Sequence, residues 1–110
     1  YLLENPEQAA VLNSGGFLVL VPAPARFALH KVILAARRPT WQETKAGKDL
    51  AQAAQVLEHL AATRPGDIRL AAEEIFKRGW GAALAAGWRR LARSHPETAP
   101  AAALVNKLPR

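Results

Sequence analysis

The spacing of hydrophobic and polar positions changes at Pro22 and divides the chain into two parts. Before Pro22, the apolar residues come in short runs on either side of Gly15-Gly16. Two such runs around a pair of glycines predict a β-hairpin, because glycine readily adopts the positive φ that tight turns need. After Pro22, apolar residues recur every three or four positions, which is typical of amphipathic helices. The pattern therefore predicts a mainly α protein, with a small N-terminal β-hairpin over residues 1–21 and a bundle of four to five helices over residues 22–110.

The first helix of the bundle is predicted from about residue 25 to residue 36. Pro39 closes it, because the residue before a proline is biased away from the α conformation. Apolar side chains lie on two neighbouring faces of this helix, and Phe27, His30 and Leu34 share one of them. We therefore expect this helix to be mostly buried.

The second helix is predicted to begin at a capping box. Thr40 and Glu43 match this motif, in which each side chain hydrogen-bonds the backbone N–H of the other residue. The apolar residues that follow have the spacing of one helical face, which predicts a helix with a single buried stripe. The stripe consists of Ala46, Leu50, Ala53, Ala54, Leu57, Leu60 and Ala61.

Two further helices and a tail complete the predicted bundle. Asp67 is predicted to cap the N-terminus of the third helix, and Gly79 is predicted to end it in the left-handed conformation. The two tryptophans of the fourth helix, predicted over residues 80–92, repeat at helical spacing, and we interpret them as core anchors. A short terminal helix over residues 101–107 is predicted as part of a loosely held tail.

Composition limits the classes of function. The formal net charge of +6 favours polyanionic partners, although an ordinary solvated basic surface is the alternative. The absence of cysteine excludes disulfides, thiolate metal sites and a cysteine nucleophile, and it fits a reducing compartment. No apolar run approaches the roughly 20 residues of a membrane span, and no signal peptide is visible. We therefore expect a cytoplasmic protein with no membrane partner.

The start of the chain predicts that this sequence is a fragment of a longer protein. The sequence has 110 residues, the size of one domain, and it begins at Tyr1 without a methionine. We therefore expect a single C-terminal domain of a longer protein, with a missing N-terminal domain. Residues 17–21 are apolar on both faces, and a strand of this kind needs cover on both sides. This pattern predicts self-association or a poorly ordered hairpin.

The titratable residues do not form a complete catalytic set. Asp49 and Asp67 are the two aspartates of the chain, whereas a two-metal phosphoryl-transfer site needs several convergent oxygen ligands. The histidines His30, His59 and His95 lack the spacing of zinc ligands. The sequence thus predicts no metal site and no catalytic residue in this chain.

Polar residues nevertheless cluster around the junction of the first two helices. The sequence PAPARFALHK at residues 22–31 is followed by AARR at residues 35–38 and by KAGKDLAQA at residues 45–53. This pattern resembles the back half of nucleotidyltransferase-like proteins of the polymerase β type superfamily, which include bacterial abortive-infection and toxin-type transferases. The resemblance covers about Leu12 to Leu60.

The resemblance implies a nucleotide-transfer fold whose catalytic sheet, with its metal-binding aspartates, lies upstream. The full-length parent would then use Mg²⁺, while this chain by itself would be inactive and would supply contacts to nucleotide, phosphate or nucleic acid. Lys31 would lie near the triphosphate, with Arg38 and Lys45 as further contacts and Asp49 as the partner that orients them. The implied binding residues are Arg26, His30, Lys31, Arg38, Lys45, Lys48 and Asp49. Toxin-type members usually carry a second acidic residue one helical turn beyond this aspartate, where this chain has Gln52 and Ala53.

Each of these residues also has an ordinary structural interpretation. His30 can donate to a backbone carbonyl, and Lys31 can extend from a buried helix towards solvent. Arg38 can cap the carbonyls of the preceding helix. Lys45 and Asp49 have the spacing of a surface ion pair on one helix.

The rival function is a non-enzymatic basic helical module that binds nucleic acid or a protein partner. A specific phosphate site predicts that replacing Lys31 weakens binding more than replacing Arg90, which we expect to lie far away on the fourth helix. A generic basic surface predicts similar small losses at both positions.

Overall fold

The computed structural model describes residues 2–5, 9–14 and 17–108, with the backbone alone up to Pro22. Five α-helices make up most of these residues, which confirms the prediction of a mainly helical protein. The helices are α1 (Pro24–Arg37), α2 (Glu43–Thr63), α3 (Pro65–Lys77), α4 (Gly81–Ser94) and α5 (Ala99–Asn106). No helix in this part of the chain has the length and apolar character needed to cross a membrane.

Three short strands precede the helices. They are β1 (Leu2–Asn5), β2 (Ala9–Ser14) and β3 (Phe17–Pro22), and they pair antiparallel in the order β1-β2-β3. The glycine turn predicted between β2 and β3 lies outside the described residues, so the hairpin itself stays a prediction.

Helix α1 lies at the centre of the bundle and packs against α2, α3 and α4. Its buried residues include Leu29, Val32 and Ile33, whereas His30 and Leu34 are exposed. The prediction that the line through His30 and Leu34 is buried was therefore wrong. Apolar residues cover more than one face of this helix. The way in which α2, α3 and α4 pack against it decides which face enters the core.

The connection between α1 and α2 differs from the predicted capping box. Thr40–Gln42 forms a 3₁₀ turn, and α2 begins only at Glu43, without a side-chain hydrogen bond at its cap. The Glu43 carboxylate instead accepts a hydrogen bond from Arg90, so a long-range ion pair replaces the local cap. The apolar stripe predicted for α2 is buried except for the half-buried Ala61, and this prediction is confirmed in all other positions.

Helix α3 begins earlier than predicted and ends where predicted. Pro65 occupies its first turn, because the missing N–H of proline costs nothing there. Asp67 therefore lies inside the helix rather than at the cap, and it accepts a hydrogen bond from Arg64 Nε at 2.7 Å. Gly79 has φ of 79°, and the N–H of Trp80 bonds the carbonyl of Ile75 at 3.1 Å. This is the left-handed C-terminal motif that the glycine predicted.

The C-terminal segment packs more firmly than predicted. Ala101 and Val105 of α5 are buried, and α5 lies against α2 and α3. The turn before it is held by Thr98, whose buried hydroxyl donates to the carbonyl of His95 at 2.7 Å. The prediction of a loosely held tail was therefore wrong. Trp80 and Trp88 are half-buried against the core, in partial agreement with their interpretation as anchors.

Candidate functional site

Asp49 is the buried acidic residue at the junction of α1 and α2. Only 3% of its surface is exposed, although it lies in the second turn of α2 among hydrophobic neighbours. Its two carboxylate oxygens bind different cations, one within α1 and one directly after its end. Oδ2 accepts from Arg38 Nε at 2.6 Å, and Oδ1 accepts from Lys31 Nζ at 3.3 Å. A buried carboxylate requires such partners, because desolvation of an unpaired charge is costly.

The helical geometry explains why these three residues meet. Lys31 and Arg38 are about two helical turns apart, so their side chains leave α1 on the same face. The reversal of the chain at Pro39 brings α2 back along that face and places Asp49 between the two cations. Arg38 also donates from Nη1 to Gln42 Oε1 at 3.1 Å, which fixes its guanidinium on the 3₁₀ turn.

The cluster of Lys31, Arg38 and Asp49, which we call the junction cluster, has an excess of positive charge. One carboxylate faces two cations, so the formal charge is positive. Lys31 retains 27% and Arg38 retains 20% side-chain exposure, so ligands in solution can reach both. Both cations also keep N–H groups beyond those bound to Asp49, and phosphate oxygens are suitable acceptors for them.

Lys45 and Lys48 lie near this cluster in sequence but extend into solvent. Both are exposed on the first turns of α2. Within residues 23–108, neither has a hydrogen-bond or ion-pair partner. Asp49 bonds across to α1 rather than along α2, so the alternative of a surface pair between Lys45 and Asp49 was wrong.

Arg26 and His30 do not join the junction cluster. Arg26 Nη2 binds Glu74 Oε2 at 3.1 Å on the exposed side of α3. The exposed His30 places its ring edge-on to Trp80, with 5.9 Å between the ring centroids. This aromatic contact takes the place of the backbone carbonyl considered as its partner. The structure therefore separates these two predicted residues from the three that meet at Asp49.

Arg90 belongs to the junction, which the sequence did not indicate. Its Nη1 donates to the carbonyl of Ala35 at 3.0 Å, and its Nη2 binds Glu43 Oε1 at 2.5 Å. The carbonyl of Ala35 is in the last turn of α1, where no intrahelical N–H is left to bond it. Arg90 thus ties α4 to both helices of the junction, and the expectation that it lies far away was wrong.

The described residues do not fit a Mg²⁺ site. Mg²⁺ is usually held by carboxylates that keep oxygens free for the metal. Both oxygens of Asp49 are bound by cations, and no group of three or more acidic or histidine residues that could hold a metal occurs in residues 23–108.

Comparison with known protein families assigns the chain to a class. Residues 1–77 match a family described as nucleotidyltransferase. The match spans more than half of the chain and includes the helices that carry the junction cluster, so the chain belongs to this nucleotidyltransferase family. No curated protein and no solved structure matches the chain.

Proposed function

We propose that this chain is the C-terminal helical part of a nucleotidyltransferase and that its junction cluster binds the phosphates of a nucleotide or nucleic acid. The observation that supports the proposal is the buried Asp49, which holds Lys31 and Arg38 side by side while neutralising only one of their charges. The metal-binding motifs and the Mg²⁺ of the active site would lie upstream of this chain. The closer relation to the polymerase β superfamily and its bacterial toxin-type members is part of the proposal and rests on the resemblance of residues 12–60.

Partial burial makes this pair of cations a better phosphate site than an exposed pair. Side chains that are already held in place lose little conformational entropy when a ligand binds. Their charges are also less screened by solvent and salt than those of fully exposed lysines. Lys45 and Lys48 extend the positive surface along α2, where they could contact an acceptor that approaches the bound nucleotide.

We expect the chain by itself to transfer no nucleotide. The catalytic metal ions need several convergent carboxylates, and Asp49 is occupied by its two cations. The measurement is incubation of the purified chain with each labelled nucleoside triphosphate and Mg²⁺ or Mn²⁺, followed by separation of labelled products. A labelled product that copurifies with the chain and disappears with chelator would contradict this expectation.

Replacing Lys31 by methionine is expected to weaken triphosphate binding about tenfold. Methionine keeps much of the packing of the lysine stem, and Arg38 still pairs with Asp49 in the variant, so the fold should persist. The loss of one charge-assisted hydrogen bond, worth roughly 1.5–3 kcal/mol, accounts for the effect. Affinity is measured by titration with ATP at fixed salt, after circular dichroism has shown that the variant is folded.

Lys107→Met is the matched control for this titration. Lys107 is exposed just beyond α5, and its replacement changes the net charge by the same amount. Arg90 is unsuitable as a control, because it contacts Ala35 and Glu43 at the junction. Similar small losses in both lysine variants would refute the phosphate site and leave a generic basic surface as the explanation of binding.

A further inference from the structure

Trp41 is exposed to an unusual degree for so large an apolar side chain. It retains 79% exposure, and within residues 23–108 the other exposed large hydrophobic residues are Leu34 and Leu70. Trp41 lies on the 3₁₀ turn between α1 and α2, directly beside the junction cluster in the chain. The core therefore does not use this ring, and neither the fold nor the phosphate site described above accounts for it.

Two unpaired cations flank Trp41. Arg37 ends α1 four positions before it, and Lys45 lies in the first turn of α2 four positions after it. Both are exposed, and neither has a hydrogen-bond or ion-pair partner within residues 23–108. The nearby carboxylate of Glu43 is paired with Arg90, so it does not neutralise them. An accessible aromatic ring thus lies between two exposed cations along the chain, each within four residues of it.

We infer that Trp41 is a stacking platform for a base of single-stranded nucleic acid, whose adjacent phosphates contact Arg37 and Lys45. This inference rests on the proposed function and names the class of polymer that binds at the junction. Proteins that bind single strands combine cations along the backbone with aromatic rings on which bases stack. A duplex keeps its bases stacked on one another, so it offers no free face to this ring.

The surroundings of Trp41 favour a nucleic acid over a protein partner. A stable protein interface buries about 800 Å² on each side around an apolar centre. Trp41 instead has the polar neighbours Thr40, Gln42 and Thr44, and Gln42 is already bonded to Arg38. One ring surrounded by polar and basic groups is too small for an apolar docking surface. It is sufficient for one base and its phosphates.

The test compares Trp41→Ala with Trp41→Phe in binding to short, labelled single-stranded RNA and DNA. Trp41→Ala should weaken single-strand binding about tenfold, the loss typical of one stacked base, whereas Trp41→Phe should lose less than about threefold because it keeps a ring. The salt dependence should not change in either variant, since no phosphate contact is removed. Lys45→Met should instead lower the slope of log affinity against log salt by about 0.7.

Leu70→Ala is the control for loss of an exposed apolar side chain, because Leu70 lies on α3 with 66% exposure. Its effect on single-strand binding should be small. Equal losses in Leu70→Ala and Trp41→Ala, tighter binding of a duplex of the same sequence, or no single-strand binding at all would each overturn the inference.

Parallel ATP titrations separate this inference from the proposed function. Trp41→Ala should leave ATP affinity unchanged, and Lys31→Met should lower it. If the Lys31 effect holds while single-strand binding does not depend on Trp41, the stacking platform is refuted and the phosphate site stands. If Trp41 governs single-strand binding but Lys31 has no effect on ATP, the proposed function is refuted and the stacking platform stands as a separate binding surface.

Discussion

Replacing Asp49 by alanine is expected to destabilise the chain by about 3 kcal/mol, because removing one member of a buried ion pair leaves its partners uncompensated. Lys31 and Arg38 would then face each other as half-buried cations without the carboxylate that both of them bind. The free energy of unfolding, measured by urea denaturation followed by circular dichroism, should show this loss. It should be larger at low salt, where repulsion between the two cations is less screened.

Glu74 provides a closely matched control. Its carboxylate also binds two cations, Arg26 at 3.1 Å and Arg78 at 3.3 Å, but its side chain is 39% exposed. Glu74→Ala should cost less than about 1 kcal/mol, as is usual for exposed ion pairs. Burial is then the main difference between the two variants. Equal losses would show that the burial of Asp49 has no energetic consequence.

The Asp49 variant also tests the proposed function through stability. If the junction cluster binds phosphate, a triphosphate can replace part of the missing negative charge. Ligand that binds only the folded state stabilises it according to its concentration relative to the dissociation constant. Adding ATP should therefore recover part of the stability lost in Asp49→Ala, and it should do so less in the combined Asp49→Ala and Lys31→Met variant.

Replacing Gly87 by alanine is also expected to destabilise the chain by about 3 kcal/mol, at the upper end for overpacking of a core. A Cβ at Gly87 would clash with the carbonyl oxygen of Val32 and would lie 2.8 Å from Val32 Cγ1 and 2.9 Å from its carbonyl carbon. Two of these atoms belong to the backbone of α1 and cannot rotate away. Helix α4 would have to move outward, which would also withdraw Arg90 from the carbonyl of Ala35.

Gly47→Ala is the control for this variant, and it is expected to raise the free energy of unfolding rather than lower it. Gly47 lies in α2, is exposed, and would have no atom within 4 Å of an added Cβ. Alanine is favoured over glycine inside a helix by roughly 0.5–1 kcal/mol, so the variant should be more stable than the natural chain. Thermal unfolding of both variants gives the comparison. A loss of stability in both would mean that close packing against Val32 is not the cause of the Gly87 effect.

The sequence predicted part of the candidate site. The resemblance implied that Asp49 orients Lys31, Arg38 and Lys45. The structure brings Lys31 and Arg38 to Asp49, whereas Lys45 extends into solvent. The same resemblance placed Arg26 and His30 with them, whereas these residues face Glu74 and Trp80. Arg26, His30 and Lys31 are close in sequence, but they lie on different faces of α1, and these faces meet different helices. Phosphate binding by the junction cluster stays a prediction.

The sequence by itself determined those features that depend on local physics. The apolar period of α2 placed its buried stripe, because each residue advances about 100° around the helix. Gly79 placed the end of α3, because only glycine adopts its left-handed conformation without a steric cost.

Tertiary structure decided the features that depend on how the helices approach one another. Gly87 lets α4 come close to Val32, and this approach allows Arg90 to reach Ala35 and Glu43. Glu43 thereby bonds Arg90 instead of capping α2 locally. The same packing leaves His30 and Leu34 of α1 exposed. Such contacts join residues far apart in the chain, and their energies depend on the distance between helices, which no local pattern of residues specifies.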